Sequence, residues 1–268
     1  MVLESLFPAK DIVNKPIDML ILSFIVAIAC VFISYFIFPS YAGIIAPLLV
    51  TVAMTPVVYR IFSIEEEVER DEAEKKLTLT FFQRHRETIL LFSLFFIGNF
   101  LAIFLLALVL PQEVATSAFS QQIAEIKLIK SVSASATGSA TSDAFFAIIT
   151  MNNLKVMIFS FLISLFIVTG SFFILSWNAS IIAIYLASFI RQGYIDDFFS
   201  RSLGILPHAP VEMLAYFLAG IAGGILSLGL VREKLWSPEF RLILRDSVLL
   251  MGLSIAAVFA GAVLEVWA

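Results

Sequence analysis

Two titratable side chains stand four residues apart in the run Pro207-His208-Ala209-Pro210-Val211-Glu212. On a helix that spacing puts both on one face, and an early proline suits a helix start, where its missing N–H costs no bond. Three kinds of chemistry fit the pair. Glu212, assisted by His208, could cap the positive N-terminal end of its own helix. The pair could receive a lipid head group or a partner's backbone. It could also work as an acid–base pair or hold a metal, since HxxxE supplies two of the three protein ligands a catalytic zinc usually has. His85 is the only other histidine, and HExxH, GxSxG, P-loop and dinucleotide-binding patterns are absent. The run Glu65-Glu66-Glu67 would suit a glutamate-type intramembrane protease, but the topology derived below puts it on the opposite membrane side from His208. No catalytic residue, metal or cofactor is expected.

Other polar residues interrupt apolar surroundings: Asn152 and Asn153, Asn178 after Trp177, Asp196 and Asp197, and Glu265 near the C-terminus. Polar groups in or beside lipid are costly, so each needs a partner or a task. Asn153, Asn178, His208, Glu212 and Glu265 are read as one polar cluster toward the outer leaflet, binding a partner or a lipid or serving structure.

The elements that must position them are apolar rods. The chain is 60% hydrophobic and only 14% charged, with a mean hydropathy of +1.01, where a soluble domain carries roughly 25% charged residues. A bilayer core takes roughly 20 apolar residues per helix. Full spans are read at Met19–Phe38, Tyr41–Val58, Ile89–Leu110, Val156–Ser176, Val211–Val231 and Val248–Trp267, with a shorter crossing at Asn178–Ile190. Uninterrupted apolar runs exclude the alternation of a barrel. The expected fold is all-α: a polytopic membrane helical bundle of about seven crossings with one short or broken helix, forming a single integral membrane domain over 1–268. Met19–Phe38 is too long for the core of a cleavable signal and a second span follows, so the N-terminus reads as retained. Cys30, the only cysteine, leaves no internal disulfide.

With the N-terminus in the cytoplasm, 12 of the 17 Lys and Arg fall on the cytoplasmic side and 5 on the other, as the positive-inside rule requires. The count needs Asn178–Ile190 to cross; as a re-entrant hairpin it would invert the last two spans and shrink the bias. The expected location is the cell membrane, multi-pass, with the C-terminus external. The net charge of −4 argues against a nucleic-acid partner.

Three segments lie outside the spans. Met1–Pro16 is a short polar-apolar lead, read as an interfacial helix. Residues 63–87 carry Glu66/Arg70, Asp71/Lys75 and Glu72/Lys76 at i,i+4 with the acid first, which predicts a charged helical hairpin extension into the cytoplasm. Residues 111–143 combine an external amphipathic helix, its face formed by Val114, Phe119, Ile123, Ile126 and Ile129, with a linker of Ser, Ala, Thr and Gly from Ser131 to Ser142. Asp143 is placed to cap a short helix through Ile149.

The last two spans carry stripes of small residues: Ala215, Ala219 and Gly223, with Gly220 and Gly224 beside them, then Gly252, Ala256 and Ala260, with Ala257 and Gly261 adjacent. Such stripes let helix backbones approach closely in lipid, within one chain or in a homodimer.

From Phe82 onward the chain resembles the stage II sporulation protein M family of integral membrane proteins. The resemblance rests on Asn153 before an apolar span with Gly170, on Trp177-Asn178, and on Pro207-His208 with Glu212 leading into a Gly/Ala-rich helix containing Gly220. In that family the asparagine and the Pro-His pair are each usually followed by glycine; here Ala179 and Ala209 follow. The resemblance implies an all-helical membrane protein with no known enzymatic activity, whose namesake looks like an anchor organising cell-wall-degrading partners at the septum of spore-forming bacteria. Members also occur in organisms that make no spores. The function expected is thus a non-enzymatic membrane scaffold, homodimeric or bound to partner membrane proteins, in contact with membrane lipid. A transporter or lipid-handling permease is an alternative, motivated by Asn178 at a helix break. A membrane-embedded hydrolase using His208 and Glu212 is another.

Overall fold

The computed structural model describes residue 12 and residues 15–75, 81–137 and 142–267, with side chains over 12, 15–64, 83–131 and 142–267. Most of the lead Met1–Pro16 and the side chains of the i,i+4 pairs between Glu66 and Lys76 lie outside the described residues.

Lipid offers the backbone no hydrogen-bonding partner, so apolar segments close their bonds internally as helices. Ten α-helices, and no strand, occur among the described residues: α1 (Ile17–Ile37), α2 (Ala42–Lys75), α3 (Phe81–Val109), α4 (Gln112–Ala118), α5 (Ser120–Thr137), α6 (Ser142–Phe166), α7 (Ser171–Arg191), α8 (Ile195–Ile205), α9 (Ala209–Arg232) and α10 (Pro238–Trp267), with a 3-10 turn at Pro39–Tyr41. Seven of them, α1, α2, α3, α6, α7, α9 and α10, are long and apolar enough to cross a membrane.

At the centre is α9: 78% of its most apolar window is buried, against 50% or less in every other span. It packs chiefly on α10 and α6, while α1, α3 and α7 form a second layer with α2 bridging the two. Small residues make the close approach possible. A Cβ at Gly220 would meet Ser171, one at Gly223 would meet the Phe161 carbonyl, and one at Gly224 would meet the Phe62 ring; Ala215 and Ala219 are fully buried. Phe62, Phe92, Phe95, Phe172 and Phe217 fill the space between the layers with edge-on and tilted ring contacts.

The stripe on the last helix behaves differently. Ser254, Val258, Gly261 and Ala262 form the inward face of α10, whereas Gly252, Ala256 and Ala260 are exposed. Among the described residues nothing packs closely on Gly252, and the residues one and two positions away occupy the contact with α9 and α6.

The fourth and fifth spans divide earlier than the hydropathy suggested. α6 runs unbroken from Ser142 to Phe166, with Asp143 in its first turn, and α7 starts at Ser171. The expected short helix through Ile149 is therefore the first part of a full span, and the fifth crossing is full length instead of short. The break at 167–170 is closed by Gly170, whose N–H donates to the Ile167 carbonyl, and by Ser164 Oγ, which accepts the Ser171 N–H at 2.9 Å. That serine supplies a cap for one of the orphan donors at the start of α7.

The expected linker is helical in its first part, and residues 138–141 lie outside the described residues. α5 continues through Ser131 to Thr137, since alanine and serine cost little when a helix is already nucleated. The charged stretch is helical to Lys75, where α2 ends, and again from Phe81, where α3 begins; residues 76–80 lie outside the described residues.

Candidate functional site

Glu212 sits in the first turn of α9, yet it does not cap that helix. The helix start at His208 has no side-chain cap, and the carboxylate turns to α6, where Asn153 Nδ2 donates to Glu212 Oε1 at 2.7 Å. Tyr216, one turn further along α9, donates its hydroxyl to Asn153 Oδ1 at 3.0 Å. Asn152 Nδ2 reaches the same oxygen at 3.3 Å. Asn153, Glu212 and Tyr216 are all buried. Space for the glutamate comes from α10: a Cβ on Gly261 would lie 2.6 Å from Glu212 Cγ.

This network forms the floor of a cavity of about 440 Å³ between α5, α6, α7, α9 and α10. Asn153, Asn178, His208, Glu212 and Glu265 all line it. The Glu265 carboxyl, brought in from the last turns of α10, is close enough to Glu212 to act on it electrostatically. Asn178 lies in the interior of α7 and gives its amide to the Ile174 carbonyl at 2.8 Å, so it marks no helix break. Asp196 and Asp197 stay exposed in the first turn of α8 and do not line the cavity. From α5 come Glu125 and Lys130, and the Lys130 ammonium stands 5.3 Å from the Tyr185 ring centre and 5.9 Å from that of Phe189.

Tyr216, Glu125 and Lys130 are not among the residues the sequence points to, and Gly261 stands out only as part of a small-residue stripe. Tyr216 had a signal: residues 208, 212 and 216 continue one helix face. The α5 residues had none, because nothing in the segment reveals that it folds back onto α7.

Chemically, the cavity offers carboxylates and amide oxygens as acceptors, one ammonium and one imidazole as donors, and isoleucine-rich walls. No group of three or more His, Cys, Asp and Glu side chains that could hold a metal occurs among the described residues.

A second buried polar cluster lies at the far end of α10. Arg84 Nε donates to Asp246 Oδ2 at 2.6 Å, His85 Nε2 is 3.3 Å from the same oxygen, and Arg245 Nε donates to Oδ1 at 3.2 Å. Asp246 and His85 are fully buried. Nineteen residues separate Asp246 from Glu265, so the two clusters stand about 28 Å apart along the helix.

A third feature ties α5 to the bundle. Pro47 inside α2 has no N–H, which leaves the Gly43 carbonyl without its helical donor. Gln122 Nε2 supplies one at 2.7 Å, and Gln121 Oε1 accepts the Gly43 N–H at 3.0 Å.

No curated protein and no solved structure matches this chain. The model of the family described as Stage II sporulation protein M matches residues 20–268, nearly the full length and every apolar span described above, and the chain is a member of that family.

Proposed function

We propose that this protein is a non-enzymatic scaffold of the cell membrane, multi-pass with its N-terminus cytoplasmic and its C-terminus external, that holds a second copy or partner membrane proteins in a complex. One observation carries the reading. The small residues of α9 are consumed inside the chain, whereas Gly252, Ala256 and Ala260 of α10 are exposed at intervals of four. A small-xxx-small stripe facing outward is a surface on which another helix can approach closely, and in lipid that approach supplies van der Waals contact that tails do not match. Leu249, Leu253 and Phe259 border it and would clasp the incoming helix.

Cysteines placed at Gly252 and Ala256 in a Cys30→Ser background test this in native membranes. Crosslinking to a second copy or to a reproducible partner is expected, and Ala256→Leu should abolish it. Absence of any crosslink, with a lone monomer after extraction in mild detergent, would refute the scaffold.

A lipid-handling role is the second reading, favoured by the cavity over Glu212. Movement of lipid or solute in reconstituted liposomes, lost in Glu212→Gln, would support it; inert liposomes would remove it.

A further inference from the structure

We propose that the cavity between α5, α6, α7, α9 and α10 binds a membrane phospholipid whose head group carries a primary ammonium. This goes beyond the scaffold reading and does not depend on the outer face of α10.

The charge of the walls points to a cation. Three glutamates, Glu125, Glu212 and Glu265, line the cavity against one lysine. Glu212 is 8% exposed. Its Oε1 takes the Asn153 amide, but no cation pairs with Glu212 or Glu265 among the described residues. A poorly solvated acid beside a second one is relieved by holding a proton or by a counter-cation, and in its ionised form it can only accept hydrogen bonds. A primary ammonium brings both the charge and N–H donors.

The size and the rim point to an amphiphile. About 440 Å³ is far more than a bare ion occupies and falls within the roughly 300–1,000 Å³ of small-molecule sites. Leu128, Ile129 and Ile148 line the cavity and are exposed, beside the equally exposed Lys130, Asn152 and Glu265, so the opening joins an apolar part that suits lipid tails to a polar part that suits a head group. Next to it, α8 has no buried residue and presents Ile195, Phe199 and Leu203 outward at intervals of four, with Asp196, Asp197 and Arg201 elsewhere on its surface. A short helix of that pattern lies in the interfacial layer, where head groups are. Its last residue, Ile205, lines the cavity, which puts the opening near head-group depth. Lys130, held over Tyr185 and Phe189, and His208 are then the groups available to the phosphate.

The test uses the full chain, delipidated in mild detergent, and three palmitoyl-oleoyl lipids: phosphatidylethanolamine, phosphatidylcholine and phosphatidylglycerol. Binding is read by native mass spectrometry and by the midpoint at which a thiol dye reaches Cys30. The ethanolamine lipid is expected to bind at least tenfold more tightly than the glycerol lipid, with the choline lipid between them. Glu265→Gln, a change at an exposed position, should reduce that preference about tenfold. Equal or stronger binding of phosphatidylglycerol, no retained lipid, saturation by sodium alone, or water-soluble phosphoethanolamine binding as well as the whole lipid would each overturn the proposal, as would an unchanged preference in Glu265→Gln. These outcomes read lipid retention in a monomer and leave crosslinking through α10 untouched.

Discussion

Asn153 of α6 and Glu212 of α9 meet across 2.7 Å, amide nitrogen to carboxylate oxygen, inside the bundle. The amide is held from its other side by the Tyr216 hydroxyl, so one asparagine gives the acid a donor and fixes its direction. Removing one partner of such a bond leaves the other unsatisfied, which costs more than the bond contributes.

Asn153→Ala strands the Glu212 carboxylate and the Tyr216 hydroxyl together. A loss of about 1–3 kcal/mol is expected for leaving buried polar groups unsatisfied. Glu212→Gln keeps the shape and an acceptor oxygen and should cost less. Thermal unfolding in detergent, followed by dye labelling of Cys30, which is buried in the folded chain, compares the two. Equal midpoints for Asn153→Ala and the parent protein would show that the bond contributes nothing.

Gln122 and Pro47 should be energetically coupled through a carbonyl that belongs to neither. Gln122→Ala leaves the Gly43 oxygen bare and is expected to cost about 1–3 kcal/mol. Pro47→Ala restores a helical N–H to that oxygen, so the same Gln122→Ala change should cost clearly less in its presence. A double-mutant cycle measures the difference; strict additivity would break the link.

The two small-residue faces should respond in opposite ways to bulk. Gly223→Leu drives a side chain toward the Phe161 carbonyl and Ser164 and should destabilise the chain by about 1–3 kcal/mol or more. Gly252→Leu meets open space and should leave the unfolding midpoint of the monomer within about 0.5 kcal/mol while impairing association. Similar losses of stability in both would contradict the outward orientation of that face.

Asp246, in the third turn of α10, ties that helix to the start of α3 through Arg84 and His85. Breaking a buried ion pair by removing one partner costs about 3–5 kcal/mol, so Asp246→Ala should be among the most destabilising single changes. Glu265→Ala, at an exposed position on the same helix, should leave the midpoint almost unmoved. Urea titration of both in detergent provides the comparison.

Seven spans were legible because each crossing must be written in apolar residues, and hydropathy counts them without reference to contacts. The polar residues of the cavity were legible for the converse reason: Asn153, Asn178, His208, Glu212 and Glu265 stand out against that background. The boundary between α6 and α7 was not legible. Residues 156–176 are apolar almost throughout, so a turn whose backbone is rescued by Ser164 leaves no trace in hydropathy, whereas Asn178, which interrupts the apolar run, sits inside α7.

Length, apolar periodicity and charge bias are properties of segments, and the chain alone determined from them the number of its rods, though not the bounds of α6 and α7. Which face of a rod turns inward depends on what the neighbouring rods present to it. Only the packed bundle decided that Glu212 turns to Asn153 instead of its own helix end, that Gly261 yields space for it, and that Gly252, Ala256 and Ala260 look outward. Each is a choice among rotations of a nearly uniform apolar cylinder, resolved by hydrogen bonds and close contacts between residues far apart in sequence.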